Sequence, residues 1–371
     1  MQASELSSLT SQVLWGGFFL SLVFGVIAQR THFCTMGAVS DIVNMGDWTR
    51  MRQWGLAVGV AMVGFGVLAY SGQIDPSKTP YASNRWIWLS AGVGGTLFGF
   101  GMVLASGCGS KTLVRIGGGS LKSMIVFIVM GLAAFATLKG ITAVLRVATV
   151  DKVGVDMAFG TSLAQWAGAS LGLTNPAAAL ACGLVLGGGL LAWAAMGKDF
   201  LNADNLLAGL GIGGVVVGMW WLSGHFGYIA EHPDTLQEAF LATNSGKAEA
   251  LSFVAPLAYT LDWLLFFSDK SKVLTLGIVS VAGVVAGSAI CALVMGTFRW
   301  EGFGSTEDVA NHLVGATLMG VGGVTAMGCT VGQGLSGVST LSATSFVAVA
   351  AIIAGAVAAF RYQVWRLDRM A

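Results

Sequence analysis

Two cysteines of this chain each follow a glycine at the end of a run of apolar and small residues. Residues 94–108 and residues 315–329 align without a gap, agree at nine of fifteen positions and both end in Gly-Cys. This agreement predicts an internal duplication that places Cys108 and Cys329 at equivalent points of two half-proteins. Because duplicated transport proteins tend to bind their substrate where the repeats meet, these two thiols are the first candidates for function.

Polar, glycine-containing sequence follows each of these two cysteines. Cys108 leads into Gly109–Lys111 and then Arg115, and Cys329 leads into Thr330–Gly334. A short helix that began just after each cysteine would point its free backbone N–H groups at the thiol. The same groups would favour an anion bound beside the sulfur. The spacing therefore predicts two anion-favouring thiol sites.

The other three cysteines divide into two kinds. Cys34 stands in Arg30–Gly37, a polar segment just after the first apolar run, and is a third candidate. Cys182 and Cys291 lie among Ala, Leu and Val within apolar runs, where a cysteine acts as a small hydrophobic residue. We therefore expect both to be replaceable without loss of function.

Three thiols in polar segments leave three kinds of chemistry open. A structural zinc site is one, although zinc ligands usually come as close pairs such as CxxC, and the sequence has none. A redox disulfide is the second, formed by cysteines that meet in space. The third is recognition of a sulfur-containing ligand, in which S–H groups donate weak hydrogen bonds and backbone N–H groups hold oxygens.

The composition identifies the elements that must position these thiols as membrane-spanning helices. Of the 371 residues 55% are apolar and 10% charged, which is too few charges to solvate a soluble domain of this size. A spanning helix needs about 20 apolar residues. We expect about nine or ten spans in an all-α polytopic membrane protein, forming one domain over residues 1–371. The apolar stretches are 6–28, 54–74, 86–106, 121–145, 176–196, 205–222, 250–267, 273–298 and 309–360, the last long enough for two spans.

Glycine and charge add three further expectations. The pairs at 95/99, 183/187, 214/218 and 283/287 have the small-xxx-small spacing that lets two helices approach closely. The first twelve residues contain no Lys or Arg, so we take 6–28 as a first span rather than a cleavable signal. Arg361, Arg366 and Arg369 follow the last apolar run and favour a cytoplasmic C-terminus.

The cysteine motifs resemble those of a known family. They are Gln29–Ala38, Leu104–Ser110 with Leu113–Gly117, and Met327–Leu335. In these, and over residues 12–360, the chain resembles the YeeE/YedE family of bacterial membrane proteins, whose characterised members take up thiosulfate. The resemblance implies an hourglass-shaped protein with two quasi-repeats, at approximately 12–145 and 176–360. It also implies short re-entrant helices that enter from both faces, with Cys34, Cys108 and Cys329 near the waist.

One departure from the family pattern bears on the substrate. The family has Gly-Gly-Cys, or Gly-Phe-Cys in the first motif, whereas this chain has Ser106, Met327 and His32 at the leading positions. We interpret these changes as a possible sign of a selenium species or another sulfur species. The full set of expected substrate-binding or permeation residues is Cys34, Gly107, Cys108, Gly109, Lys111, Arg115, Gly328, Cys329 and Thr330.

Two ionisable residues and one short segment are weaker candidates. Asp262 and His312 lie inside apolar stretches, where an ionisable side chain is costly and often functional. The segment Ser223–Ile229 shares a His-Phe pair with the first cysteine motif, and Gly227 stands where the cysteine would be. It is our predicted counterpart of that motif in the second repeat.

The function we expect is transport, without enzymatic activity, catalytic residues, a metal or a cofactor. The predicted substrate is a small sulfur oxyanion, most simply thiosulfate, taken up across a prokaryotic cytoplasmic membrane through a cysteine-lined constriction. Two rivals stay open: a membrane thiol that forms a persulfide and relays sulfur, and a structural membrane subunit. Expected partners are membrane lipid and a cytoplasmic TusA-like sulfur carrier, and the absence of a basic run speaks against nucleic acid.

Overall fold

Helices dominate the computed structural model, which describes residues 3–198, 200–233 and 235–370. In chain order the helices are α1 Ala3–Arg30, α2 Thr35–Met45, α3 Thr49–Tyr70, α4 Trp88–Leu104, α5 Gly109–Gly117, α6 Leu121–Lys139, α7 Ile141–Ala148, α8 Leu163–Leu171, α9 Asn175–Ala195, α10 Ala203–Phe226, α11 Ala255–Leu265, α12 Leu276–Val294, α13 Thr306–Thr325, α14 330–339 and α15 Ala343–Met370. Short π-helical segments interrupt α9, α10 and α14. Two 3-10 turns, Pro76–Lys78 and Val150–Lys152, lie in the connections.

The described strands are four, each of two residues, and they lie in the connections between helices. Strand β1, Arg85–Trp86, pairs antiparallel with β2, Val155–Asp156. Strand β3, Tyr228–Ile229, pairs antiparallel with β4, Ala239–Phe240. Both pairs tie long connections together at the face of the protein where α15 begins. The all-α membrane class expected from the sequence is confirmed.

Eight helices in the described part of the chain are long and apolar enough to cross a membrane, against the nine or ten expected. One difference is α11, where the apolar run 250–267 forms a helix of only 11 residues. At 1.5 Å per residue it covers about 16 Å, roughly half of the hydrocarbon core. The other is α13, which begins with Thr306, Glu307 and Asp308 and packs against α4 and α6. Its polar first turn lowers its apolar character.

Glycines bring the helix backbones into direct contact. A side chain at Gly99 would meet the Ile352 carbonyl oxygen of α15 at 2.0 Å, and one at Gly287 would meet the Leu22 carbonyl oxygen of α1 at 2.0 Å. The pairs at 95/99, 183/187 and 283/287 all face a neighbouring backbone within 3.0 Å, as their spacing predicted. In the fourth pair, by contrast, Gly214 faces open space, so its spacing alone was misleading.

The crossing of α4 and α13 has reciprocal contacts. A Cβ at Gly94 would meet the Gly322 carbonyl oxygen at 2.7 Å, and one at Gly322 would meet that of Gly94 at 2.6 Å. Gly101 and Gly315 face each other in the same way, each 2.6 Å from the other's carbonyl oxygen. In the sequence alignment Gly94 corresponds to Gly315 and Gly101 to Gly322. A contact and its equivalent therefore both occur, as two-fold-related surfaces require.

Other helix pairs also join the first half of the chain to the second half. Helix α1 lies along α12, and α3 lies along α10; α4 packs against α15, and α6 packs against α13. Each pair joins one helix of the first half to one of the second, so the halves interlock. The two stretches predicted as quasi-repeats, 12–145 and 176–360, therefore pack against each other along several helix pairs.

Candidate permeation site

Each candidate cysteine ends a sharp reversal of the chain between a long helix and a short one. We name these reversals corner 1, residues 31–34, corner 2, residues 105–108, and corner 3, residues 326–329. In corner 2 the Gly107 N–H donates to the Met102 carbonyl oxygen at 2.8 Å, and in corner 3 the Gly328 N–H donates to that of Gly323 at 2.8 Å. These bonds use carbonyl groups that the end of the long helix leaves free. Corners 2 and 3 therefore have the same backbone construction.

A left-handed residue turns the chain in every corner. The φ angles of His32, Ser106 and Met327 are 52°, 56° and 58°, each two positions before the cysteine. These are the positions at which the resemblance leads one to expect glycine, which adopts this conformation without a Cβ penalty. The glycine of the usual pattern is thus explained by the backbone, and the departure from it does not by itself indicate another substrate.

The thiols lie at the N-termini of the short helices. The Cys34 Sγ accepts the Gly37 N–H at 3.4 Å, and the Cys329 Sγ accepts the Gly332 N–H at 3.3 Å. The Lys111 N–H lies near the Cys108 thiol, although no capping hydrogen bond to that sulfur forms. Helices α2, α5 and α14 begin directly after the three cysteines, so their positive ends face the sulfurs. Each sulfur therefore lies where an anion is stabilised.

Folding brings the three thiols to one buried region. The side chains of Cys34 and Cys108 lie close enough to influence each other, and the Thr330 side chain lies near the Cys108 thiol. The Cys108 Sγ lies 3.3 Å from the Ser110 hydroxyl. Cys34 is 5% exposed, whereas Cys108 and Cys329 are fully buried. Of the expected set, the cysteines, the neighbouring glycines at 107, 109 and 328, and Thr330 are thus all buried at the corners.

Basic side chains gather on the side of corners 1 and 2. Lys111 lies close to Cys34 and Cys108 and also to Arg50 and Arg115. Arg115 donates from Nη1 to the Ser106 carbonyl oxygen at 2.8 Å, so it holds corner 2 as well as carrying charge. Arg50 is paired with Asp41 at 3.3 Å. Lys111 forms no ion pair within the described residues, and its ammonium is therefore available to an anion.

The opposite side of the site opens to a cavity of about 180 Å³. Its walls include Tyr81, Ser252 and Met327, so it reaches corner 3. The Tyr81 hydroxyl donates to the Gly332 carbonyl oxygen at 2.5 Å, in the first turns of α14. The Phe253 N–H is directed at the Cys329 thiol from the chain segment before α11. Corner 3 therefore borders this cavity, whereas Cys34 and Cys108 lie beside the basic cluster.

The comparisons with known proteins bear on this arrangement. The family model for sulphur transport matches residues 30–358, which include all three corners and the helices between them. The chain belongs to the sulphur transport family. Two curated relatives are named thiosulfate transporter TsuA. The protein of Spirochaeta thermophila is 25% identical over 359 residues, covering 92% of this chain and 97% of its own. The protein of Escherichia coli is 26% identical over 336 residues, covering 87% of each chain.

In this member of the sulphur transport family, the weaker sequence candidates lie outside the corners and have local partners. Asp262 is paired with Lys272 at 2.6 Å, and His312 with Asp308 at 3.0 Å. Cys291 lies within α12, with its Sγ 3.5 Å from the Met295 sulfur. Cys182 lies half-buried in α9. Within the described ranges, no group of three or more His, Cys, Asp or Glu residues is placed to hold a metal ion.

The predicted fourth motif is wrong. After Gly227 the chain continues into β3 rather than into a short helix. The short helix that follows α10 is α11, and it begins after Phe253, whose backbone faces Cys329. Sequence reasoning missed Phe253 and Tyr81 because neither belongs to a cysteine motif. One signal in the sequence was Pro256, which follows Phe253 within the run 250–267 and favours a helix that begins there.

Proposed function

We propose that this chain is a thiosulfate transporter of a prokaryotic cytoplasmic membrane, and that the three corners form its constriction. The observation that carries the proposal is the placement of three buried thiols at the N-termini of three short helices. A polarisable sulfur can accept weak S–H hydrogen bonds, while helix N–H groups and their dipoles suit sulfonate oxygens. The names of both curated relatives support thiosulfate as the anion, and both are transporters rather than enzymes.

The two halves are proposed to be quasi-repeats that meet at an hourglass-shaped waist. The reciprocal glycine contacts of α4 and α13 support this arrangement. In it, the substrate passes Cys329 on one side and reaches Cys108 and Cys34 on the other. The short helices α5 and α14 would enter the waist from opposite faces.

The direction of uptake follows from charge. Helix α15 starts beside a second cavity, of about 220 Å³, which Tyr81 and Met327 also line and which we call the Tyr81 cavity. The helix ends at the opposite face with Arg361, Arg366 and Arg369. If these arginines are cytoplasmic, as the positive-inside rule favours, then the Tyr81 cavity opens to the outside. Thiosulfate would thus meet Cys329 first and the basic cluster around Lys111 last.

An inward-moving dianion needs either accompanying protons or cations, or consumption of the substrate inside the cell. Each negative charge moved against about 100 mV costs about 2.3 kcal/mol, and a dianion costs about twice that. Rapid consumption on the cytoplasmic side keeps the flow downhill. We propose that a TusA-like sulfur carrier consumes the substrate, which is delivered on the Cys34 side of the constriction.

Radiolabelled thiosulfate uptake into proteoliposomes tests the transport proposal. We expect Cys108→Ala to abolish uptake at normal protein abundance, because it removes the fully buried thiol that lies near both Cys34 and Thr330. Cys108→Ser keeps a donor but loses the polarisable sulfur, and we expect it also to fall at least tenfold. Cys182→Ala and Cys291→Ala are the matched controls and should retain most activity. Near-normal uptake by both Cys108 variants would refute the assignment.

The proximity of Cys34 to Cys108 also favours the sulfur-relay alternative. In that reaction a cysteine thiolate attacks the outer sulfur of thiosulfate, a persulfide forms and sulfite leaves. The persulfide could then pass to the second cysteine. Mass spectrometry of the chain after exposure to thiosulfate distinguishes the two, because recognition during transport leaves no adduct, whereas the relay leaves one additional sulfur atom on Cys34 or Cys108.

A further inference from the structure

A carboxylate stands in the cavity through which the proposed substrate approaches Cys329. Glu249 lines this cavity of about 180 Å³ together with Tyr81, Ser252, Tyr259 and Met327. Because Met327 belongs to corner 3 and Tyr81 bonds to α14, an anion that reaches Cys329 through this cavity passes Glu249. An acidic side chain at the entrance of an anion path requires an explanation.

The Glu249 carboxylate accepts hydrogen bonds but is not paired with a basic side chain in the described residues. Its oxygens accept the Ser245 N–H at 2.7 Å and the Asn244 N–H at 3.4 Å. Its own N–H donates to the Ser223 hydroxyl at 3.0 Å. Within the described residues it forms no ion pair. Glu249 lies in the connection between α10 and α11, outside the spanning helices, and burial raises the pKa of its carboxyl group.

The charged side chains around Glu249 bind groups other than its carboxylate. On its own segment, Lys247 donates to the Thr79 carbonyl oxygen at 3.4 Å. On the facing 3-10 turn, Lys78 is paired with Glu238. From α11 comes the Asp262–Lys272 pair described above. The remaining titratable groups near it are the phenols of Tyr81 and Tyr259, and the cavity walls given by α10 and α12 are Met219, Leu276, Gly277 and Ser280.

We propose that Glu249 is a titratable gate for anion entry, so that thiosulfate occupies the outer cavity when Glu249 carries a proton. The inference rests on the proposed function and adds its regulation by pH. An ionised Glu249 and a dianion in the same poorly solvated cavity repel each other, and no described base offsets either charge. Protonation of Glu249 removes its negative charge. The backbone N–H groups of Asn244 and Ser245 can still donate to the carbonyl oxygen of the neutral acid.

Linkage fixes the sign of the effect. Because anion binding and Glu249 protonation favour each other, binding must draw a proton from the medium. Affinity is greatest below the raised pKa of Glu249 and weakens as the pH rises through it. For one linked proton the loss approaches about tenfold per pH unit above that pKa. Uptake should weaken with pH in the same direction.

Isothermal titration of the full-length chain in detergent with thiosulfate tests the gate. Titrations from about pH 5 to pH 8 give the affinity, and repeating each in buffers of different ionisation enthalpy counts the protons taken up. For the wild-type chain we expect weaker binding at higher pH and up to one proton taken up. Glu249→Gln should bind with a flat pH profile and no proton uptake, whereas Glu249→Asp should restore the pH dependence.

The controls separate this gate from other titrating groups and from a purely structural role. Glu231→Gln changes an exposed carboxylate of the same connection and should leave the profile unchanged. His225→Asn removes an exposed imidazole at the end of α10, outside the corners, and it should also leave the pH dependence of binding unchanged. A pH dependence that persists in Glu249→Gln would overturn the gate.

The result also distinguishes failure of the proposed transport function from failure of the proposed gate. Failure of the wild-type chain to bind thiosulfate at any pH would refute the proposed function. Binding by the wild-type chain with a flat profile and no proton uptake would refute only the gate. If Glu249→Gln does not fold, the number of protons taken up on binding is compared between the wild-type chain and Glu249→Asp. No proton uptake by either of them would refute the gate.

Discussion

Three single residues determine how sharply the chain turns before its candidate cysteines. His32, Ser106 and Met327 hold left-handed backbone conformations that favour glycine. For an L-residue with a Cβ this conformation costs about 1–2 kcal/mol. The site therefore carries a small strain at each corner, located two positions before a thiol that must be placed accurately.

We predict that Ser106→Gly stabilises the protein by about 1 kcal/mol, because glycine removes the Cβ penalty at a φ of 56°. The Arg115 bond at this corner goes to the backbone oxygen, so the substitution keeps it. The measurement is thermal unfolding in detergent, with uptake measured in parallel. Thiosulfate specificity should not change, because the left-handed position shapes the backbone.

The matched control is the same substitution inside a regular helix. Ser40 lies in the interior of α2, where Ser40→Gly should destabilise by about 0.5 kcal/mol. A gain in stability at Ser106 together with a loss at Ser40 would show that the gain comes from backbone conformation. If Ser106→Gly lowers stability or alters the substrate, the side chain of Ser106 has a role that its corner geometry does not require.

At the scale of elements, one face of α4 is built for backbone contact and another is not. Gly94 and Gly101 touch α13, and Gly95 and Gly99 touch α15, each with less than 3 Å available to a Cβ. Gly92 on the same helix faces open space. The glycine content of α4 therefore reflects two helix–helix contacts rather than a flexible helix.

We predict that Gly101→Ala destabilises the protein by about 1–3 kcal/mol, because the new methyl group would lie 2.6 Å from the Gly315 carbonyl oxygen. Gly322→Ala should have a similar cost, since the two positions are equivalent in the sequence alignment. Thermal unfolding of each variant measures the effect. Gly92→Ala is the control and should be neutral or stabilising by up to about 1 kcal/mol. Equal effects at Gly92 and Gly101 would contradict this account of the α4–α13 crossing.

At the scale of the molecule, the two faces of the site differ in charge and in the cysteine they present. One face contains the cavity with Glu249 and leads to corner 3, where Met327 is 46% exposed. The other contains the cluster around Lys111, with the exposed His32 at corner 1. An anion crossing in the proposed direction therefore moves toward increasing positive charge.

We predict opposite accessibility of the two faces to a membrane-impermeant thiol reagent. In right-side-out vesicles Met327→Cys should react from outside, whereas His32→Cys should react only after the inner face is opened. The wild-type chain, with its native cysteines, provides the background in both preparations. Labelling of the two variants from the same face would contradict the proposed arrangement of the corners.

The sequence by itself determined the membrane class, the positions at which long helices end and the three cysteines worth following. Its apolar content excludes a soluble domain, and Gly-Cys segments at the ends of apolar runs mark reversals of the chain. These features are local. A helix ends where a residue adopts the left-handed conformation, and the first backbone N–H groups of the next helix have no partner within that helix. The same local information mistook 250–267 for a span and Gly227 for a fourth corner, because apolar content and a His-Phe pair do not specify length or direction.

Only the tertiary structure decided which of these residues meet. Cys34 lies near Cys108 because the glycine faces of the interlocked halves bring corners 1 and 2 together. Tyr81 and Glu249 line the cavity beside corner 3 although their own segments carry no cysteine motif, since the connections that hold them fold back over this corner. Contacts between distant segments depend on helix packing in three dimensions, and a single sequence records that packing only through the small residues that permit it.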